Sequence, residues 1–136
     1  MDIVIDANVV FSIIINMGRS LDVIASGKIR LFSPETLLVE LERNKDELRS
    51  KAGFSESEMN AFIELMLPEI KFIFEDEFKG YLAEAKKLLP EHPKDVPYLA
   101  LALKLRCPIW SYEKRLRSQD RVKVLTTGEI IELLGL

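Results

Sequence analysis

The sequence predicts an α/β fold, specifically a three-layer α/β/α sandwich around a central, mostly parallel sheet. Short apolar segments rich in β-branched residues alternate with segments whose apolar residues recur at helical spacing. Strands joined through helices favour parallel pairing with helices on both faces of the sheet. No internal repeat, low-complexity segment or linker rich in Gly, Ser or Pro interrupts the 136 residues, so we expect a single domain over residues 1–136.

Five short segments are predicted as β-strands because they are apolar and bounded by polar or turn-forming residues. The first, residues 2–5, ends abruptly at Asp6, as a buried strand followed by a polar break would. The other strands are residues 29–32, 70–74, 108–110 and 122–125. Helices separate these strands along most of the chain, and this order predicts the parallel arrangement.

The predicted helices are recognised mainly by their ends. Ser33 followed by Pro34 is a typical helix start, with serine as N-cap and proline at the first helical position. Ser55 and Glu58 have the spacing of a capping box, in which each side chain accepts a backbone N–H at the helix start. The predicted helices span residues 9–16, 20–26, 34–50, 55–67, 78–89 and 95–106, with a terminal helix capped by Thr126 or Thr127.

The composition is that of an ordinary globular protein, with 48% hydrophobic and 30% charged residues. The single cysteine, Cys107, excludes an internal disulfide and a thiolate zinc site. The apolar stretch 9–15 is interrupted by Ser12 and is too short to span a bilayer. No basic segment followed by an apolar run and a small-residue cleavage site opens the sequence, so we expect a cytoplasmic protein with no membrane partner.

The charges give two opposite indications about a nucleic-acid partner. The net charge of −3 argues against one, although a carboxylate-rich site itself makes the chain more acidic. Between residues 111 and 123, however, five basic residues stand against two acidic ones. The basic residues are Lys114, Arg115, Arg117, Arg121 and Lys123. Such a strip favours contact with a phosphodiester backbone, and a solvated helix face is the alternative interpretation.

Four acidic residues are candidates for a common site. In open parallel sheets, ligands bind beyond the carboxyl ends of the strands, where the strand order reverses. Asp6 and Glu113 each follow a predicted strand, Glu40 lies within the helix 34–50, and Asp95 precedes the helix that ends at residue 106. Clustered carboxylates raise one another's pKa values unless a cation neutralises them, and oxygen ligands suit Mg²⁺ or Mn²⁺.

Each of these acids also has an interpretation without a catalytic role. Asp6 could cap the helix that follows it, and Asp95 stands where an N-cap is routine. Glu40 competes with Glu42 and Glu35, although Glu35 has the place of a first-turn residue that interacts with the helix dipole. Taken separately, the four signals are weak.

A resemblance to a known family connects these acids. The segments 3–9 (IVIDANV), 32–41 (FSPETLLVEL), 94–103 (KDVPYLALAL), 107–111 (CPIWS) and 126–129 (TTGE) resemble successive elements of PIN domains, in the order of that family. The most specific match is 94–103, where Asp95 leads into a helix rich in Ala and Leu. One position departs from the pattern, because Glu113 stands where many PIN domains have Asp.

The resemblance implies a PIN-like fold and a ribonuclease that hydrolyses RNA phosphodiester bonds with Mg²⁺ or Mn²⁺. Catalysis and metal binding would then fall to Asp6, Glu40, Asp95 and Glu113. Contacts to backbone phosphates would fall to the nearby basic residues, namely Lys114, Arg115 and Arg117. By the same analogy, the chain would be a VapC-type toxin with an antitoxin protein as partner, and it would form a homodimer or a higher homo-oligomer.

Two other interpretations remain open. A PIN-like module that binds RNA or a protein through a degraded, weakly active metal site is favoured by Glu113. A different doubly wound hydrolase or a receiver domain would need a glycine-rich phosphate loop or a lysine after a late strand. Neither feature is present, since the 6 glycines are not clustered.

Overall fold

Five parallel strands form the central sheet of the computed structural model, which describes all residues from 1 to 136. They are β1 (Asp2–Ile5), β2 (Arg30–Pro34), β3 (Ile70–Ile73), β4 (Ile109–Trp110) and β5 (Val124–Leu125). Their order across the sheet is β3-β2-β1-β4-β5, and every neighbouring pair is parallel. The predicted parallel sheet is therefore confirmed.

Helices fill most of the connections between the strands. They are α1 (Ala7–Asn16), α2 (Arg19–Ala25), α3 (Thr36–Ala52), α4 (Glu56–Met66), α5 (Glu75–Phe78), α6 (Leu82–Leu88), α7 (Val96–Leu105) and α8 (Thr127–Leu134). Short 3₁₀ turns occupy Leu67–Glu69, Lys79–Tyr81 and Lys114–Ser118. No single helix is long and apolar enough to cross a membrane, and only α1 and α2 together, bent by 112°, have that length and composition.

The helices form two layers, one on each face of the sheet. The chain passes from β1 to β2 to β3 in one direction and then returns past β1 to β4, so right-handed crossovers place α1–α4 opposite α5–α7. Contacts agree with this arrangement, because α1 packs on α3, α2 packs on α8, and α5 and α6 pack on α7. The three-layer α/β/α sandwich is confirmed.

The sheet is buried on both faces. In β1, Ile3, Val4 and Ile5 are completely shielded from solvent, and so are Ile109 and Trp110 of β4. Parallel strands covered by helices on both sides have such continuous apolar sequences because neither face meets water. A polar residue that directly follows one of these strands therefore lies at the border between the core and solvent.

The start of α3 differs from the prediction. Ser33 and Pro34 belong to β2, and α3 begins at Thr36 with Glu35 as its N-cap residue. The N–H of Glu35 donates to the carbonyl of Ile73 at 3.2 Å, which extends the pairing with β3 beyond the proline. Proline favours an extended conformation in the residue before it, so Ser33–Pro34 suits the end of a strand as well as the start of a helix.

The predicted helix 78–89 is also divided. Residues 75–78 form α5, a 3₁₀ turn follows, and α6 begins only at Leu82. Gly80 lies in the 3₁₀ turn, and glycine disfavours a continuous helix at that point. By contrast, the capping box of Ser55 and Glu58 is confirmed.

The last helix is capped by Thr126. Its Oγ1 accepts the N–H of Glu129 at 3.2 Å, and its own N–H donates to the Glu129 carboxylate at 3.1 Å. Thr127, the other candidate for this cap, is the first residue of α8 and is buried. This assignment leaves the Thr127 hydroxyl free for contacts inside the protein.

Candidate active site

The topology places a crevice between β1 and β4. The chain leaves β1 toward β2 on one side and later returns to β4 on the other, so the strand order reverses at this pair. Ile5 is in register with Trp110, and the N–H of Asp6 donates to the carbonyl of Trp110 at 3.0 Å. The residues that follow the two strands, Asp6 and Ser111, therefore lie side by side where open α/β sheets bind ligands.

The Asp6 carboxylate faces this crevice and does not cap a helix. Asp6 holds the N-cap position of α1 in an extended conformation, but its side chain makes no capping hydrogen bond. Instead, Oδ2 accepts a 2.6 Å hydrogen bond from Oγ of Ser111, a residue with no solvent exposure. The geometry thus removes the capping interpretation of this acid.

The pKa of Asp6 is influenced by the other three predicted acids. Burial raises the pKa of Asp6 from 3.8 to about 6. The hydrogen bond from Ser111 acts against this rise, whereas the negative charges of Asp95, Glu113 and Glu40 add to it. The four carboxylates are therefore brought together at one end of the sheet, close enough to influence one another.

Glu40 joins the site through Tyr98. The Tyr98 hydroxyl donates to Oε1 of Glu40 at 3.0 Å, from a ring that is almost fully buried on α7. Burial is the main cause that raises the pKa of Glu40, and the charge of Asp95 raises it further. The competing Glu42 is exposed and Glu35 is the N-cap residue of α3, so of the three acids it is Glu40 that faces the cluster.

Asp95 is held by an arginine. It occupies the N-cap position of α7 without a capping hydrogen bond from its side chain. Nε of Arg115 lies 2.5 Å from its Oδ2, and Nη2 of the same guanidinium lies 3.5 Å from its Oδ1. The Asp95 side chain is only 6% exposed, so this ion pair shields a nearly buried charge.

Glu113 reaches the same cluster from the segment after β4. Its Oε1 accepts a hydrogen bond from the Asn8 amide, and its Oε2 lies 3.7 Å from Nε of Arg115. Its backbone N–H donates to Oγ of Ser111 at 3.0 Å. The longer glutamate side chain at this position therefore still faces the other acids.

A polar network fixes the segment that carries Ser111 and Glu113. The Thr127 hydroxyl accepts from Nε1 of Trp110 at 3.0 Å and lies 3.0 Å from Oγ of Ser20. The Tyr112 hydroxyl contacts both Ser20 and Thr127. These bonds connect β4 to α2 and α8, so the segment after β4 is anchored on two sides.

The donor set of the cluster fits a hard divalent cation. Four carboxylates offer only oxygen atoms, which is the ligand chemistry of Mg²⁺ and Mn²⁺. Burial first, and then the negative charges of the other three acids, raise the pKa of Asp6, and a bound cation would oppose both effects. In their present hydrogen bonds, no three or more Asp, Glu, His or Cys side chains are arranged to hold a metal ion. The oxygen ligands therefore suit such a cation, whereas the carboxylates are oriented toward their hydrogen-bond donors within the protein.

The three predicted phosphate-binding residues have different surroundings. Arg115 lies inside the acidic cluster, and Nη2 of Arg117 pairs with Oε1 of Glu129 at 2.6 Å. Lys114 is exposed and has no carboxylate oxygen within 4.0 Å. Contact with a nucleic acid stays a prediction for all three residues.

Two further cations lie on the Glu40 side of the site. Arg43 and Lys94 line a cavity of about 440 Å³ between α3 and the start of α7, together with Glu40. Both are exposed and have no carboxylate oxygen within 4.0 Å. Their charges lower the pKa of Glu40, against the larger effect of burial.

Three features of the site were not predicted from the sequence, namely the roles of Ser111 and Tyr98 and the contact of Asn8 with Glu113. Ser111 carries a recognisable signal, because a polar residue directly after a buried apolar strand lies at the carboxyl edge of the sheet. Tyr98 is the one aromatic residue in a helix otherwise rich in Ala and Leu. Its contact with Glu40 joins residues 58 positions apart and leaves no local pattern.

Comparisons with known proteins agree with this architecture. A family model described as PIN domain matches residues 4–132, a range that includes all four acids. No curated protein sequence matches the chain. The fold is similar to a chain in the crystal structure of VapBC2 from Rickettsia felis bound to a DNA fragment from their promoter, with a TM-score of 0.72 and 12% sequence identity. The similarity covers 93% of this chain and 98% of that chain, and at this identity it concerns the fold alone.

Proposed function

Since the chain belongs to the PIN-domain family, we propose that it is a divalent-metal-dependent endoribonuclease that hydrolyses RNA phosphodiester bonds. The observation that carries the proposal is the buried Asp6 carboxylate at the reversal of strand order, with its pKa raised to about 6 in the company of three other carboxylates. Carboxylates buried together cost free energy unless a cation neutralises them, and such clusters are commonly found at functional sites.

The roles follow from the position of each acid. Asp6 and Asp95, the most buried of the four, would be the main ligands of Mg²⁺ or Mn²⁺. Glu40 and Glu113, which are more exposed, would complete the ligand shell or orient the attacking water. A bound divalent cation supplies a water of lowered pKa and stabilises charge on the phosphate. Ser111 and Tyr98 would hold Asp6 and Glu40 in their orientations.

The phosphate contacts of the substrate would come from cations on both sides of the cluster. Lys114 is available on one side, and Lys94 and Arg43 are available on the other. Arg117 is paired with Glu129, but exposed pairs contribute little free energy, so this arginine can exchange its partner for a phosphate. Phosphate contacts position a strand without reading its sequence.

We further propose that the chain acts as the toxin of a toxin–antitoxin pair. The fold similarity to a chain of VapBC2 supports this role. The partner would be an antitoxin protein, and a homodimer or a higher homo-oligomer is the expected assembly. Co-expression with the product of the gene immediately upstream tests the proposal, because a small DNA-binding protein that suppresses the growth arrest caused by this chain would support it. Growth unaffected by the chain alone would contradict it.

The alternative function is a PIN-like module that binds RNA or a protein with little cleavage. Glu113 favours it, and so does the arginine within the acidic cluster. Glu113→Asp separates the alternatives, since a shorter ligand at a working fourth position should increase Mn²⁺-dependent cleavage. An unchanged rate would exclude Glu113 as a ligand.

The direct test of the metal site is a Mn²⁺ titration followed by thermal unfolding and by cleavage of a labelled RNA. Wild type should be stabilised by Mn²⁺ and should cleave, whereas Glu40→Gln should lose most of the cleavage. Glu42→Gln is the matched control, because Glu42 lies two residues away on the same helix but is exposed. No thermal shift and no cleavage by wild type would refute the enzyme, and equal losses in both variants would refute the role of Glu40.

A further inference from the structure

The Arg115 guanidinium occupies the space among the acids. Its Nε lies 2.5 Å from Oδ2 of Asp95 and 3.7 Å from Oε2 of Glu113. The hydrogen bond to Asp95 raises the pKa of Arg115, and the charges of Asp95, Glu113 and Asp6 raise it further. The guanidinium is thus a permanent positive charge that faces three of the four carboxylates.

Arg115 is the only side chain that donates to the Asp95 carboxylate. The fork of Nε and Nη2 faces both oxygens, so each oxygen of Asp95 already has a cationic partner. Without this arginine, a nearly buried carboxylate would lack a counter-charge, at a cost in free energy. The arginine therefore meets the same electrostatic need that a divalent cation would meet.

The guanidinium and a divalent cation would compete for the oxygens of Asp95. A ligand oxygen of Mg²⁺ lies about 2.1 Å from the ion, so the ion would contact the atoms that now accept the arginine N–H groups. The two positive charges would also repel each other across a short distance in a partly buried site. With Arg115 on Asp95, no three acids are arranged to hold a metal ion.

We propose that Arg115 is a built-in counter-ion of the acidic cluster, which must leave Asp95 before a divalent cation can bind there. The proposal rests on the metal site of the proposed function and adds a regulation of that site. Occupancy by metal then becomes a competition between an internal and an external cation. Metal affinity is set by the arginine as well as by the acids.

The position of Arg115 in the fold permits such a movement. Arg115 lies on the 3₁₀ turn Lys114–Ser118. The next residue in this turn, Leu116, is fully buried and anchors the backbone. The carbonyl of Arg115 accepts a 2.7 Å hydrogen bond from Oγ of Ser118. Its side chain is 41% exposed, so the guanidinium can turn toward solvent while the backbone stays in place.

Calorimetric titration of the metal-free full chain with Mn²⁺ tests the proposal. Arg115→Gln should bind Mn²⁺ at least about tenfold more tightly than wild type, because a competing charge is removed at close range. Arg115→Lys, which keeps the charge but lacks the fork, should fall between the two. The matched control is Arg121→Gln, since Arg121 also pairs with a carboxylate, that of Glu84, outside the cluster. Its affinity should equal that of wild type.

A second measurement, made on wild type, distinguishes the displacement of Arg115 from Asp95 from a general effect of its charge on metal affinity. In ¹⁵N NMR spectra, the Nε–H signal of Arg115, assigned by its loss in Arg115→Lys, should be protected from exchange without metal. Saturating Mg²⁺ should abolish this protection. A signal that stays protected at saturation would overturn the proposal, and so would equal Mn²⁺ affinities of wild type and Arg115→Gln. If neither protein binds Mn²⁺, the metal site of the proposed function fails together with it.

Discussion

Oγ of Ser111 donates a 2.6 Å hydrogen bond to Oδ2 of Asp6, although 105 residues separate the two in the sequence. The contact exists because β1 and β4 are neighbours in register and each is followed directly by one of these residues. The same Ser111 oxygen accepts the N–H of Glu113 at 3.0 Å. One buried hydroxyl thus fixes two acids of the cluster relative to each other.

Removal of this hydroxyl should impair the site without unfolding the protein. Ser111→Ala should lower Mn²⁺-dependent RNA cleavage by about 10- to 100-fold, as the loss of a side chain that orients a metal ligand commonly does. Ser111→Thr keeps the hydroxyl and should restore most of the rate. Rates of all three proteins at saturating Mn²⁺ provide the measurement, and full activity of Ser111→Ala would contradict the positioning role.

Asp6 should destabilise the metal-free protein at neutral pH. Its pKa in the folded state, about 6, lies above its ordinary value of 3.8, so the folded protein binds this proton more tightly than the unfolded chain. The stability that protonation confers is complete below pH 3.8 and is lost as the pH rises through 6. At about 1.4 kcal/mol per pKa unit, the loss is about 3 kcal/mol.

Urea unfolding in EDTA measures this effect. Asp6→Asn carries no charge at this position, so its free energy of unfolding should exceed that of wild type by about 3 kcal/mol at about pH 8 and approach it at about pH 4. A difference between the two proteins that does not change with pH would contradict the raised pKa of Asp6.

Tyr98 should contribute to stability through Glu40. Tyr98→Phe removes the donor to Oε1 of Glu40 and should lower the free energy of unfolding by about 1 to 2 kcal/mol, because a hydrogen bond to a charged group is lost. Tyr81→Phe makes the same chemical change at an exposed ring and serves as the control. Urea unfolding of both variants should show a loss for Tyr98→Phe alone. Equal values for the two would mean that the hydrogen bond contributes nothing.

The unpaired cations around the site should dominate RNA binding. Gln substitutions of Lys94, Arg43 and Lys114 should each weaken the binding of a single-stranded RNA and reduce the slope of log K against log salt by about 0.7. Lys87→Gln, a change of an exposed lysine on α6, should leave both quantities unchanged. Fluorescence anisotropy over a salt series measures the slopes. A loss for Lys87→Gln as large as the others would mean that RNA binding is not localised at this site.

Much of the fold follows from local patterns in the sequence. The alternation of apolar strands with helices predicts the parallel sheet, and the capping residues Ser55 and Thr126 mark helix starts that the structure confirms. The start of α3 was wrong by two residues because Pro34 suits the last position of a strand and the first turn of a helix equally well. The difference was decided by pairing with β3, a contact between distant segments.

Position suggested Asp6 and Glu113, and the resemblance to PIN domains joined all four acids, whereas the partners of these acids were not predictable. Asp6 and Glu113 stand just after strands, and such positions meet at one edge of a parallel sheet. The ion pair of Arg115 with Asp95 and the hydrogen bond of Ser111 with Asp6 depend on how separate elements pack, which no spacing along the chain reveals. For this reason Arg115 was predicted only as a phosphate contact and not as the partner of Asp95.

If the four acids form a metal-dependent ribonuclease site, Asp6→Asn should lose the cleavage of a labelled RNA. The matched control is Asp120→Asn, the same change at an exposed aspartate. With Mn²⁺ present, wild type and Asp120→Asn should cleave at equal rates that EDTA abolishes, and Asp6→Asn should show no cleavage while unfolding cooperatively. Cleavage by Asp6→Asn at the wild-type rate, or cleavage that persists in EDTA, would contradict a metal-dependent site at these acids.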